Sequence, residues 1–334
     1  MINGNDVDTL NNGLFPSAAG ESHEFTIQDL GSSSSRTVTL TAQVVTATQV
    51  QNVTTIDTDT GKVGYMYFDD HNDPAEQLLI DAFTELRDAE VTDLVLDLRY
   101  NPGGLVGIAS EVAYMIAGRE RTIGKTFTQF EYNDKYTDFD PFTGSPNTPI
   151  PFVSTSIGYS ATPNVALPQL NLDRVFVLTT ADTCSASELI MNALRGIDVE
   201  VILIGRTTCG KPYGFVPEDN CGTTYFSIQF RGINAKGFGD YGDGLSPSSN
   251  PVNDDQLPGC SVADDLSNAL GDPNEGLFSA ALYYRENGSC PSTTARPRPG
   301  TSHLRTVDGE IIRMPWESIY RVDDRLRNYS ERSR

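Results

Sequence analysis

The sequence predicts an α/β fold layered around a parallel sheet. Three observations carry this. Residues 92–98, 174–179 and 199–205 are short apolar runs, the pattern of strands buried on both faces. Stretches with helical periodicity separate them. The resulting strand–helix–strand–helix–strand order across 62–205 calls for right-handed parallel crossovers.

Taken in order, residues 1–22 are rich in Asn, Gly, Asp and Ser. Residues 23–48 alternate around a Ser-rich gap and read as a hairpin or meander. Residues 62–68 form a further strand. Ala75, Leu78, Leu79, Ala82, Phe83 and Leu86 share one face of a helix that opens at Pro74, with acids on the other face. After the strand at 92–98 comes the turn 99–104, then a helix through Ile116. Residues 118–172 show little periodicity and read as a long excursion. A helix spans about 185–196. Residues 222–260 suggest β-ribbon with Gly/Pro loops, and two short helices are expected at 262–270 and 275–286. The expected organisation is a β-rich segment at 1–60, a core at 61–290, and a loosely packed Pro/Arg/Ser-rich tail at 291–334.

The chain has 334 residues and a formal net charge of −21. That balance argues against DNA, RNA and anionic membranes as partners, since phosphate binding needs clustered cations. With 38% hydrophobic and 21% charged residues the composition is that of a globular protein. No apolar run reaches the ~18 residues of a transmembrane helix. The first six residues have neither a basic nor an apolar region, so no signal peptide is expected within this sequence, a cleaved one remaining open.

The five cysteines, Cys184, Cys209, Cys221, Cys260 and Cys290, form no CxxC pair. With only three histidines this argues against zinc. Two disulfides with one free thiol, or five reduced thiols, both remain open. The cysteines, the acidic surface and the polar loops point towards an extracytoplasmic setting.

Three polar turns follow the apolar strands: 101–104, 183–188 and 207–211. Sites in parallel sheets collect at the carboxyl ends of strands, so the three can converge. Ser185-Ala186-Ser187-Glu188 is a capping box. Ser185 is then either a plain N-cap or a nucleophile whose developing oxyanion the helix N-terminus favours. Lys211 is either a solvated surface lysine or a general base. The second role needs a pKa near 7, a shift worth on the order of 4 kcal/mol, which desolvation can supply. His23, His71 and His303 lie in no motif, so a Ser-His-Asp triad has little support, whereas a Ser/Lys pair needs no histidine. Gly103-Gly104 is either a turn or a source of backbone N–H donors for a substrate carbonyl.

Together, residues 63–68, 94–104, 185–188 and 204–211 resemble the tail-specific (carboxy-terminal-processing) serine peptidases, a family with a ClpP/crotonase-like core. The resemblance covers roughly 62–215. It implies Ser185 as nucleophile and Lys211 as general base. It implies an oxyanion hole from Ala186 and a glycine of the pair Gly103 and Gly104, with Glu188 supporting the lysine. Asp97 and Arg99 would hold their turn. A second acid of some members has no clean match: Gly196 aligns with it, and Asp198 is close if one residue is inserted. Protein or peptide substrates recognised at their C-termini are implied, and no cofactor or metal.

Such proteins often carry a PDZ-like domain before the core. Residues 2–7 resemble the middle of one and residues 36–45 its last strand, so the other half would lie upstream of Met1. The rival reading is a β-appendage of the core. Cys184 and Cys209 depart from common family residues. Either they tie the two catalytic turns together or they are two small buried hydrophobes. A non-catalytic protein binding peptides or lipophilic ligands is the alternative. An acyl-CoA enzyme is disfavoured by the negative charge.

Overall fold

The computed structural model describes residues 13–29, 32–44, 48–216 and 218–292. The described residues divide into two units, one up to Thr48 and one from Gln49 on. In the first unit the alternating residues form an antiparallel hairpin of β1 (Ser22–Gln28) and β2 (Ser35–Thr41), with Phe25 opposite Val38. Residues 2–7 and most of the C-terminal tail lie outside the described residues, and with them the start of the expected PDZ-like segment.

The second unit opens with β3 (Val50–Thr58) and β4 (Gly61–Phe68), then α1 (Ala75–Asp88), β5 (Asp93–Asp97), α2 (Val106–Ala117) and a single turn α3 (Arg119–Thr122). Next come β6 (Thr126–Glu131), β7 (Ile150–Pro151), β8 (Arg174–Thr179), α4 (Ala186–Gly196) and β9 (Glu200–Gly205). The short strands β10 (Tyr213–Gly214), β11 (Glu218–Asn220), β12 (Thr223–Tyr225), β13 (Phe230–Ile233) and β14 (Ser246–Ser248) precede β15 (Gln256–Ser261) and α5 (Gly276–Asn287).

The main sheet has seven strands in the order β14-β15-β9-β8-β5-β4-β3. Every neighbouring pair is parallel except the edge pair β3–β4. The apolar runs are buried on both faces, as their lack of alternation implies. Leu94, Leu96, Val175, Val177, Val201 and Leu203 face the core beneath α1, α2 and α4. Their neighbours Val95, Phe176, Leu178, Ile202 and Ile204 face the core beneath α5. This α/β layering is the predicted fold class. The sheet takes in β3, so the core unit opens at Gln49, ahead of residue 61.

Three expectations need correction. The helix at 262–270 does not form. Asp264 is drawn to Arg99, and Asp265 accepts from Ser267 N, Asn268 Nδ2 and Gly276 N. Aspartates so engaged compete with helical backbone bonds. The excursion at 118–172 contains β6 and β7, which join β13 and β10 in a four-stranded antiparallel sheet. On α1, Glu76 is not on the solvent face. It is fully buried, and its carboxylate accepts the N–H groups of Gly158, Ser160 and Ala161.

Candidate active site

The turns after β5, β8 and β9 leave the same, carboxyl edge of the sheet. The first is anchored from below by Arg99, fully buried, which pairs with Asp97 (2.6 Å), Glu275 (2.7 Å) and Asp264 (3.1 Å). Burial pulls the guanidinium pKa down, but the flanking carboxylates outweigh this and hold it above its usual value. The role expected of Asp97 and Arg99, holding the turn, fits this network.

Asn101 organises the turn itself. Its side-chain Nδ2 donates to Phe68 O (3.0 Å), and its Oδ1 accepts from Gly103 N (3.0 Å). The same oxygen lies 3.0 Å from His71 Nδ1. Because Oδ1 can only accept, Nδ1 carries the imidazole proton. Burial lowers the His71 pKa to about 3, so the ring is neutral. The Asn101 carbonyl accepts from Cys184 N and from Ser187 Oγ, which fastens this turn to the next.

Gly103 has φ 97°, and a Cβ there would lie 2.6 Å from Ala186 N and 2.7 Å from Ser185 Cβ. Only glycine lets the two turns come this close. Since the Gly103 N–H is spent on Asn101, Gly104 is the member of the pair left to offer a donor. Its φ of 137° and its contact with the His71 carbonyl exclude a side chain there too.

Ser185 stands at the N-cap of α4 with φ 57°, a left-handed conformation costly for a non-glycine residue. It is fully buried, and its Oγ has no hydrogen-bond partner among the described residues. An ordinary capping serine spends that oxygen on the helix. The strained conformation instead leaves the hydroxyl uncommitted beside the first free N–H groups of the helix.

Glu188, one turn on, is fully buried. Oε2 accepts from Ser185 N and from Lys211 N, each at 2.8 Å. Oε1 accepts from Thr208 Oγ1 (2.5 Å) and Gly210 N (2.9 Å). Burial raises its pKa, and these donors oppose the shift. Glu188 thus holds the Lys211 backbone in place. Lys211 is part-buried, and burial lowers its pKa against the opposing charge of Glu188. Its Nζ lies 5.7 Å from the centre of the Phe215 ring and makes no hydrogen bond to Ser185 Oγ.

Cys184 and Cys209 form a disulfide with Cα atoms 5.2 Å apart. Cys260 and Cys290 form a second, and Cys221 is free and exposed. Donor atoms of Cys184, Glu188 and Cys209 lie within 4.8 Å of one another. The sulfurs are bonded to each other and the carboxylate is filled by N–H donors, which accounts for this cluster without a metal. Asp198 stands outside the site, exposed and paired with Lys236.

Residues 62–216 match the family model described as Peptidase family S41. This part of the chain is similar to the S41 peptidases. A carboxyl-terminal-processing protease of Picosynechococcus sp. (strain ATCC 27264 / PCC 7002 / PR-6) is 28% identical over 212 residues, covering 61% of this chain and 44% of the relative. The chain therefore spans less than half the length of that relative. The solved structure of an S41-protease candidate from Bacteroides fragilis NCTC 9343 shares the fold, with a TM-score of 0.62 at 21% identity. That likeness covers 86% of this chain and 72% of the other.

All three polar turns singled out in the sequence lie within the matched residues 62–216, and they are fastened to one another. Sequence reasoning missed His71, whose signal is only a lone histidine after a strand, and Thr208, which resembles any loop threonine. It also missed Asp69, close by on the β4 exit, whose pKa burial and then Asp70 raise to about 6. Among the described residues no helix is long and apolar enough to cross a membrane.

Proposed function

We propose that the chain is a serine endopeptidase of the carboxyl-terminal-processing type, with Ser185 as nucleophile and Lys211 as general base. Neutral Lys211 takes the Ser185 proton as Oγ attacks the scissile carbonyl. The N–H groups of Ala186 and Gly104 hold the oxyanion. Collapse of the tetrahedral species expels the amine, which Lys211 protonates. The same lysine then activates the water that releases the acyl group. Glu188 is a positioning residue.

The observation that carries this reading is the shared Glu188 oxygen, which accepts both the Ser185 and the Lys211 amides. The free Ser185 hydroxyl and the lowered lysine pKa support it further. Catalytic hydrogen bonds in proteins without substrate are often unmade and tighten in the complex. A cleft of about 580 Å³ lined by Tyr132, Tyr136, Phe142, Tyr213 and Phe230 opens two residues beyond Lys211. Glu131, Asn133, Gln229 and Arg231 also line it, so it offers both apolar and polar surface to a polypeptide, and recognition at substrate C-termini belongs to the same proposal. Two disulfides favour an oxidising, extracytoplasmic compartment.

Incubation with an unfolded protein substrate tests the proposal. The chain should cleave it, and Ser185→Ala, Lys211→Ala and Lys211→Arg should each abolish cleavage, since guanidinium cannot act as a base. A second reading, a binding protein without turnover, is favoured by the absent Ser185–Lys211 hydrogen bond. It predicts substrate binding but no cleavage by any of the four proteins.

A further inference from the structure

We propose that the Cys184–Cys209 disulfide sets the spacing of the Ser185 and Lys211 turns, so that peptide cleavage runs in the oxidised protein and is switched down when a dithiol reduces that bond. This rests on the Ser185/Lys211 reading above. The bond joins the residue immediately before Ser185 to the residue two before Lys211. It closes the same two turns that Glu188 clasps. Cys209 N also donates to Thr183 O (3.0 Å), and Cys184 N to Asn101 O (3.0 Å), so both cysteines are embedded in the turn framework.

Access and geometry make the bond a control point. Cys209 is exposed and Cys184 part-buried, so a thiolate can reach the Cys209 sulfur. Cys260 of the other disulfide is 2% exposed and belongs to the opposite face of the sheet. Attack on Cys209 Sγ forms a mixed disulfide and expels Cys184 as thiolate. The second thiol of the reductant then closes its own disulfide and releases Cys209. The protein gains two electrons and two protons, and the dithiol loses them.

Two sulfurs about 2.05 Å apart in a disulfide must separate to roughly 3.5–4 Å once unbonded. Cys209 Sγ already lies 3.6 Å from Glu188 Oε2, the atom that holds both amides. The separation therefore presses on the clasp. A misplacement of about 1 Å can cost on the order of 100-fold in rate.

The test follows cleavage of an unfolded protein by the whole chain before and after dithiothreitol. Alkylation and peptide mass mapping report which bonds are open, and far-UV circular dichroism reports the fold. With Cys184 and Cys209 reduced and the dichroism unchanged, kcat should fall tenfold or more with little change in KM. Reoxidation should restore it. Cys260→Ala/Cys290→Ala should keep this response. Cys184→Ala/Cys209→Ala should no longer respond to the reductant. An undiminished rate with Cys184 and Cys209 both alkylated would overturn the redox proposal and leave the peptidase reading standing. Absence of Ser185-dependent cleavage in the oxidised chain would overturn both.

Discussion

The amides of Ser185 and Lys211, remote in sequence, donate to one oxygen atom, Glu188 Oε2, at 2.8 Å each. The distance between the two turns is thereby fixed by a buried carboxylate rather than by direct contact of the two side chains. The disulfide one residue before Ser185 adds a covalent link across the same gap. Such a frame holds the backbone still while leaving the hydroxyl and the amine free to move onto a substrate.

Removing the clasp should be costly. Glu188→Ala leaves the buried Ser185 N–H, the part-buried Gly210 and Lys211 N–H groups and the Thr208 hydroxyl without their acceptor, at about 1–3 kcal/mol for each group that finds no substitute. Urea denaturation should show a loss of about 3 kcal/mol or more, and peptidase activity should vanish.

Ser185 should trade stability for its hydroxyl. At φ 57° glycine carries no Cβ penalty, so Ser185→Gly should abolish cleavage and raise stability by about 1 kcal/mol. The melting temperature of this variant, set beside that of Ser185→Ala, separates strain relief from loss of the hydroxyl.

Gly103→Ala should damage catalysis far more than a single methyl usually does. Its Cβ would meet Ala186 N, Ser185 Cβ and Cys184 O at 2.6–2.8 Å. The clash falls on the nucleophile turn, so kcat should drop about 100-fold or more. Steady-state kinetics with a peptide substrate measures it.

Acid should unfold the protein partly through His71. The folded ring has a pKa near 3, whereas an unfolded histidine titrates near 6.5, about the usual value. Between these values the unfolded chain binds more protons, so this contribution is complete above pH 6.5 and is lost as pH falls towards 3. The slope is up to about 1.4 kcal/mol per pH unit. His71→Gln should flatten that part of the stability–pH curve from urea titrations.

Much of this was legible because it is local. The apolar runs of β5, β8 and β9, the Pro74 helix start and the Ser-x-x-Glu signal each lie within a few residues, and their order fixed the layering. What stayed hidden depends on distant partners. Strand β6 is recognisable only beside β13, as in the pairing of Glu131 with Arg231. Ser-x-x-Glu announced a helix start, but not that the Glu188 oxygens would collect donors from Thr208, Gly210 and Lys211. Asn101 read as a turn residue, although its side chain binds Phe68 and Gly103 and faces His71. The expected helix after β15 failed because Arg99, far upstream, claims Asp264.

The most direct test of the central claim is the rate of Ser185 phosphonylation by a fluorophosphonate across the pH range, followed by intact-protein and peptide mass. Labelling confined to Ser185, rising with pH through a single ionisation below 10.5 and lost in Lys211→Ala, is the predicted result. Labelling of another residue, or an unchanged profile in Lys211→Ala, would contradict the account.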